Sequence, residues 1–337
     1  MMQSKPAALD RAVQIIQNRP LAAFAALTFV FSWLLWLAPR ALGLSDTIIF
    51  RHLVALGAFA PALAGGLVGY LRCEPRPAIR WDWFMGALLA VGVLYILCLP
   101  YASSQAQSAS NLTWAVRILL WAAPALVIAL GMSDGGQLRG LIAAPAGAKL
   151  LTPWYAAALL AVPALFGLGY AAGWALGDAP QISLNGSAGE IALTIAASFI
   201  YMSLFGGALA EEPGLRGLAL PALQQKSPPL AAAALLALAW TVWIVPLHLN
   251  GYYQASPDGA LQAILFRGLL NLLLSVLLAW LYNRSAGNLL ACILLHGSFT
   301  TASAFLPLTT PLLALLTAAV LALIIQAQMW QSPDQAA

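Results

Sequence analysis

The sequence predicts an all-α, polytopic transmembrane helix bundle of about ten helices, with eight or nine as the alternative count. Three observations carry this. Of 337 residues, 62% are hydrophobic and 8% charged, with mean hydropathy +0.85, whereas soluble domains carry about 25% charged residues. Apolar windows of roughly 20 residues, the length that crosses a bilayer, recur along the whole chain. Lys and Arg gather on alternate connections between those windows, as a membrane topology requires.

The windows lie at 21–39, 52–71, 83–100, 113–132, 153–175, 190–210, 229–249, 259–281, 288–306 and 309–328. Residues 1–19 are polar and fairly basic, and the first apolar run is too long for a signal-peptide core, so it is expected to remain as an uncleaved anchor. With the N-terminus cytoplasmic, the inner segments carry Lys5, Arg11, Arg19, Arg72, Arg76, Arg80, Arg139, Lys149, Lys226 and Arg284. The outer loops carry Arg40 and Arg51. Ten against two fixes the expected orientation. Arg117 and Arg267 fall inside windows within about two turns of an outer end and are expected to snorkel to the headgroups.

The net charge of +4 and pI of about 9.1 follow from this topology, and no basic run with interleaved aromatics supports nucleic-acid binding. Cys73, Cys98 and Cys292 form no CxxC, so neither a disulfide nor a thiolate metal site is expected. No internal repeat or long linker is visible. By content the chain divides into 1–185, packing and lipid-facing helices; 186–306, where the chemistry concentrates; and 307–337, a peripheral C-terminal helix and short tail.

Ionisable groups at membrane depth are costly and usually mark a site. Ala210-Glu211-Glu212-Pro213-Gly214-Leu215-Arg216-Gly217 is such a place. On a helix Glu212 and Arg216 share a face, while Glu211 points about 100° away. Glu212 is then neutralised and Glu211 left free, suited to take a proton from water in a partly wet pocket. The alternative is a structural ion pair locking two helices. Pro213 should kink the helix beside the glutamates by freeing the Leu209 carbonyl. Gly206, Gly207, Gly214 and Gly217 should let backbones approach closely, and irregular backbone at this depth implies a hydrated pocket.

Two further stretches carry polar chemistry. In Leu295-His296-Gly297-Ser298-Phe299-Thr300, His296 and Thr300 share a helix face; the alternative is a histidine bonded inside the bundle with Thr300 bonding its own backbone. In Trp240-Thr241-Val242-Trp243-Ile244-Val245-Pro246-Leu247-His248-Leu249-Asn250, His248 ends its window beside Tyr252 and Tyr253, as an interfacial histidine would.

These stretches, in this order, resemble the CPBP family of type II CAAX prenyl endopeptidases and bacteriocin-processing or Abi-like proteins. Glu211, Glu212 and Arg216 match the family's Glu-Glu-x-x-x-Arg. Residues 211–224 follow the subgroup pattern Glu-Glu-Pro-Gly-x-Arg-Gly-x-Ala-Leu-Pro-x-Leu-Gln nearly throughout, and Tyr282-Asn283-Arg284-Ser285-Ala286-Gly287-Asn288 looks like the turn that precedes the later histidine. The resemblance implies an intramembrane endopeptidase of the bacterial-type plasma membrane. Its substrate would be a peptide or protein, possibly lipidated, cleaved near the cytoplasmic leaflet. Glu211 would act as base and His296 as oxyanion donor, with Thr300 in the position of the family's asparagine. The subgroup's second motif, Trp-x-x-Trp-His-x-Pro-Leu, puts Ile244 where a histidine belongs. His248 lies one turn on, displaced by about 6 Å along the axis. A catalytically impaired relative, acting as a membrane binding, immunity or scaffold protein, is therefore the second expectation.

No cofactor is needed for glutamate-activated water. A zinc site would have to be assembled from Glu211, His296 and His248, since no HExxH is present. A small-solute transporter would show repeat symmetry and paired broken helices, and neither is visible.

Overall fold

The computed structural model describes residues 7–44, 47–73, 78–98, 111–131, 153–178, 182, 186–253 and 259–331. They form helices and turns without a strand. A short α1 (Ala7–Asn18) leads into α2 (Pro20–Ala41). Then come α3 (Ile48–Ala58), α4 (Ala60–Arg72), α5 (Trp81–Cys98), α6 (Asn111–Gly131) and α7 (Pro153–Ala175). Seven helical stretches are long and apolar enough to cross a bilayer, and Arg117–Gly131, Leu289–Phe305 and Thr310–Gln326 are shorter apolar helices. Together these ten stretches coincide with the ten windows read from the sequence, and the chain is a multi-pass integral membrane protein.

The stretch that carries the glutamates is the least regular. Helix α8 (Ala188–Leu204) opens on a capping box in which the Ser187 hydroxyl accepts from the Glu190 N–H while the Glu190 carboxylate accepts from the Ser187 N–H. It stops at Phe205–Gly207, where Gly207 takes φ +121°, a conformation that L side chains avoid. The chain restarts as α9 (Ala208–Gly214), widens into a π-helical turn over Leu215–Ala219 and ends in α10 (Leu220–Gln224). The expected kink at Pro213 is thus displaced. The break precedes the glutamates at Gly207, and Pro213 is carried inside α9. Pro213 and Pro221 each remove a backbone donor, and the turn between them closes with an i→i+5 bond from the Leu220 N–H to the Leu215 carbonyl. Such π turns recur at functional sites.

The remaining helices are α11 (Pro229–Trp243), α12 (Val245–Leu249), α13 (Ala260–Arg284), α14 (Leu289–Phe305) and α15 (Thr310–Gln326). Chain alternation defines two ends of the bundle. At one lie Arg19, Arg72, Arg80, Lys226 and Arg284; there Gln17 Nε2 of α1 donates to the Leu71 carbonyl at 3.0 Å. At the other lie the turns after α2 and α12 and the link from α14 to α15. We call the first the basic end.

Glycine lets α9 seat directly on α4. A Cβ on Gly214 would fall 2.1 Å from the Pro61 carbonyl oxygen, and one on Gly65 would fall 2.8 Å from Gly214 Cα. Neither neighbour is a side chain that could swing away. Gly214→Ala is expected to destabilise the protein by about 1–3 kcal/mol through forced separation of the two helices. Gly69→Ala, on the same α4 but with open space around it, should be neutral or gain about 0.4–1 kcal/mol. Thermal unfolding in detergent compares the two.

Candidate functional site

A cavity of about 1280 Å³ runs into the bundle from the end opposite the basic one, lined by residues from both halves of the chain. Its deep part is formed by Phe205, Glu211, Trp240, Ile244 and His296, each less than 9% exposed. Glu211 stands in the first turn of α9, immediately after the Gly207 break. A methyl placed on Gly207 would touch Glu211 Oε1 at 2.7 Å and His296 Cε1 at 3.7 Å. The acid and the imidazole therefore face the same point.

Glu212 is engaged by two groups rather than one. Its Oε1 accepts from Arg216 Nη1 at 3.2 Å and lies 2.8 Å from His296 Nδ1, with Glu212 and Arg216 completely buried. The Arg216 guanidinium also rests 5.2 Å over the Trp240 ring, a favourable cation–π contact. The sequence placed Arg216 on the Glu212 face. It gave no sign that His296, 84 residues on, would share the same oxygen, because that contact depends on how α9 and α14 pack. Gly297 makes the packing on the neighbouring α8 close: a Cβ there would fall 2.2 Å from Ser203 Oγ.

Glu211 has no such partner for its second oxygen. Oε2 is buried and makes no hydrogen bond within the protein, and Trp240 lines the cavity with it. Glu211 itself lines the cavity, and a carboxylate there can hold and deprotonate a water molecule. With His296 Nδ1 engaged by Glu212, Nε2 is the ring nitrogen left for the cavity. The neighbour thus fixes the orientation of the ring, as in other acid–imidazole pairs.

The other expected members are arranged differently. Thr300 lines the cavity, but its hydroxyl donates to the carbonyls of His296 (3.0 Å) and Gly297 (3.1 Å). That is the back-bonding common for threonine in membrane helices, and it removes the proton an oxyanion would need. Ile244 faces the cavity from the end of α11. His248 is buried on α12, is absent from the cavity lining, and lies against Tyr253 with ring centroids 4.8 Å apart. The structure does not bring His248 to Glu211 and His296. Among the described residues no three of His, Cys, Asp and Glu lie together as a metal-holding group, and the three-ligand set considered for zinc is not assembled.

Three contributions to the lining were missed from sequence. Asn271, 4% exposed, faces the cavity from α13 and donates through Nδ2 to Thr241 Oγ1 at 3.1 Å. Arg267, one turn earlier, also lines it, with its guanidinium 5.0 Å over the Tyr253 ring. Arg267 is therefore a cavity residue and not a lipid-facing snorkel. Arg117, also expected at the headgroups, is 1% exposed and lies 6.0 Å over the Tyr95 ring. The third is the wall from α3 and α5, where His52 Nε2 and Tyr95 OH are 3.1 Å apart. Residues before 185 thus do more than pack and meet lipid. A repeat of polar residues at 267, 271 and 275 within the apolar α13 was the legible signal for the first two, since such groups inside a span face a cavity or a partner.

The entrance lies among Arg51, Gly251, Tyr252, Tyr253 and Ser303, all exposed lining residues. Residues 191–302 match the family model described as Type II CAAX prenyl endopeptidase Rce1-like, a match that contains every site residue discussed from Glu211 to Thr300. It supports an intramembrane endopeptidase of CAAX type in general terms. No curated protein matches the chain.

Proposed function

We propose that this chain, whose residues 191–302 match the Rce1-like type II CAAX prenyl endopeptidase family model, hydrolyses a peptide bond inside the membrane cavity. The reading is carried by one observation: the Glu211 carboxylate and the His296 ring face a common point in the deep part of the cavity. Glu211 takes a proton from water, and the resulting hydroxide adds to the scissile carbonyl; the tetrahedral adduct then collapses with cleavage of the C–N bond, and Glu211 returns its proton to the leaving amine. His296, as the imidazolium with Nδ1–H held by Glu212, donates Nε2–H to the oxygen as charge develops there; donors aimed at that position are commonly the largest single term in acyl transfer. Glu212 and Arg216 act as positioning residues. Thr300 was expected as the second donor, but its proton is spent on the backbone. The Asn271 amide, with a second N–H beyond the one given to Thr241, replaces it. The substrate is a peptide or protein segment, with or without a lipid, and membrane lipids surround the protein.

A second reading, the impaired relative, is favoured by Ile244, which lines the cavity where the subgroup carries histidine. Assaying purified protein on quenched peptides, beside Ile244→His, separates the two. Measurable turnover by the native chain supports the enzyme, and Ile244→His should then raise it by about 10²-fold or more, the usual contribution of one general acid or base. Turnover confined to Ile244→His supports the impaired relative.

A further inference from the structure

We infer that the cavity is loaded from the extracytoplasmic face, so that its substrate is a peptide segment presented there and not a cytoplasmic tail. The word substrate rests on the hydrolytic reading; the direction of access does not. Three observations converge on it.

The exposed lining residues Arg51, Gly251, Tyr252 and Ser303 sit at one end of the bundle, beside the turns that follow α2 and α12 and at the close of α14. The other end holds Arg19, Arg72, Arg80, Lys226 and Arg284, and Lys and Arg are retained on the cytoplasmic side. Between the deep part of the cavity and that basic end lies a buried layer. Leu220, Leu281, Leu289 and Cys292 are each 1% exposed or less, and with them lie Glu212 and Arg216, both 0% exposed and paired at 3.2 Å. Among the described residues, the lining of the cavity includes none of these buried groups. The expected position near the cytoplasmic leaflet gives way to a site approached from the far side.

Thiol accessibility tests this without requiring turnover. With Cys73, Cys98 and Cys292 replaced by alanine, single cysteines are introduced as Ser303→Cys at the entrance, Ile244→Cys in the deep part and Lys226→Cys at the basic end. Intact cells are treated with a small membrane-impermeant methanethiosulfonate. Ser303→Cys and Ile244→Cys should be modified, and Lys226→Cys only after permeabilisation. Modification of Lys226→Cys in intact cells would overturn the inference, as would an Ile244→Cys that reacts only after the cytoplasmic face is exposed. An inactive protein that labels as expected would sink the hydrolytic reading and leave the direction of access standing.

Discussion

Glu212→Ala is expected to lose about 3–5 kcal/mol of stability, the cost of stranding a buried charge. Arg216 is the stranded group: it is 0% exposed, its hydrogen bond runs to Glu212 Oε1, and its Nε and Nη2 have no protein partner. His296 loses its Nδ1 anchor in the same step. The double variant Glu212→Leu/Arg216→Met removes both charges together and should recover most of the loss, because replacing a buried pair by apolar groups is often neutral. It should nonetheless remain inactive, since His296 is no longer oriented. Thermal unfolding in detergent, run as a double-mutant cycle beside a peptide-cleavage assay, reads both effects. A Glu212→Ala protein as stable as the native chain would mean that the network is not what holds α9 against α14.

What the sequence made legible is what local rules govern. Window length and charge alternation gave the helices and their order, and the i,i+4 rule gave the Glu212–Arg216 pair at its observed contact. What stayed hidden depends on contacts between distant segments. His296 meeting Glu212 follows from the seating of α9 and α14, which short-range periodicity does not encode. The Pro213 kink was misplaced because a glycine free to take positive φ breaks a helix more completely than a proline in its second turn. Arg267 and Arg117 were assigned to headgroups by distance from a helix end, a rule blind to whether the helix face meets lipid or protein. Thr300 shows the opposite case. Its local alternative, a hydroxyl bonded to the preceding turn, could be stated from sequence and is the geometry adopted.

Glu211→Gln should separate stability from function. The substitution keeps shape and volume, and it removes a charge whose Oε2 lies buried without a protein partner. Burying an unpaired ionised group is costly, so the amide is expected to leave the melting temperature unchanged or to raise it. A gain of this kind is common where a site stores destabilisation for the sake of its chemistry. Catalysis should move the other way. An amide cannot accept the proton of water, and loss of one general base costs about 10²–10⁴-fold, which from a modest native rate means no detectable cleavage. Cleavage retained within a few-fold of native would remove Glu211 from the mechanism, and a marked fall in melting temperature would show that its charge serves the fold instead.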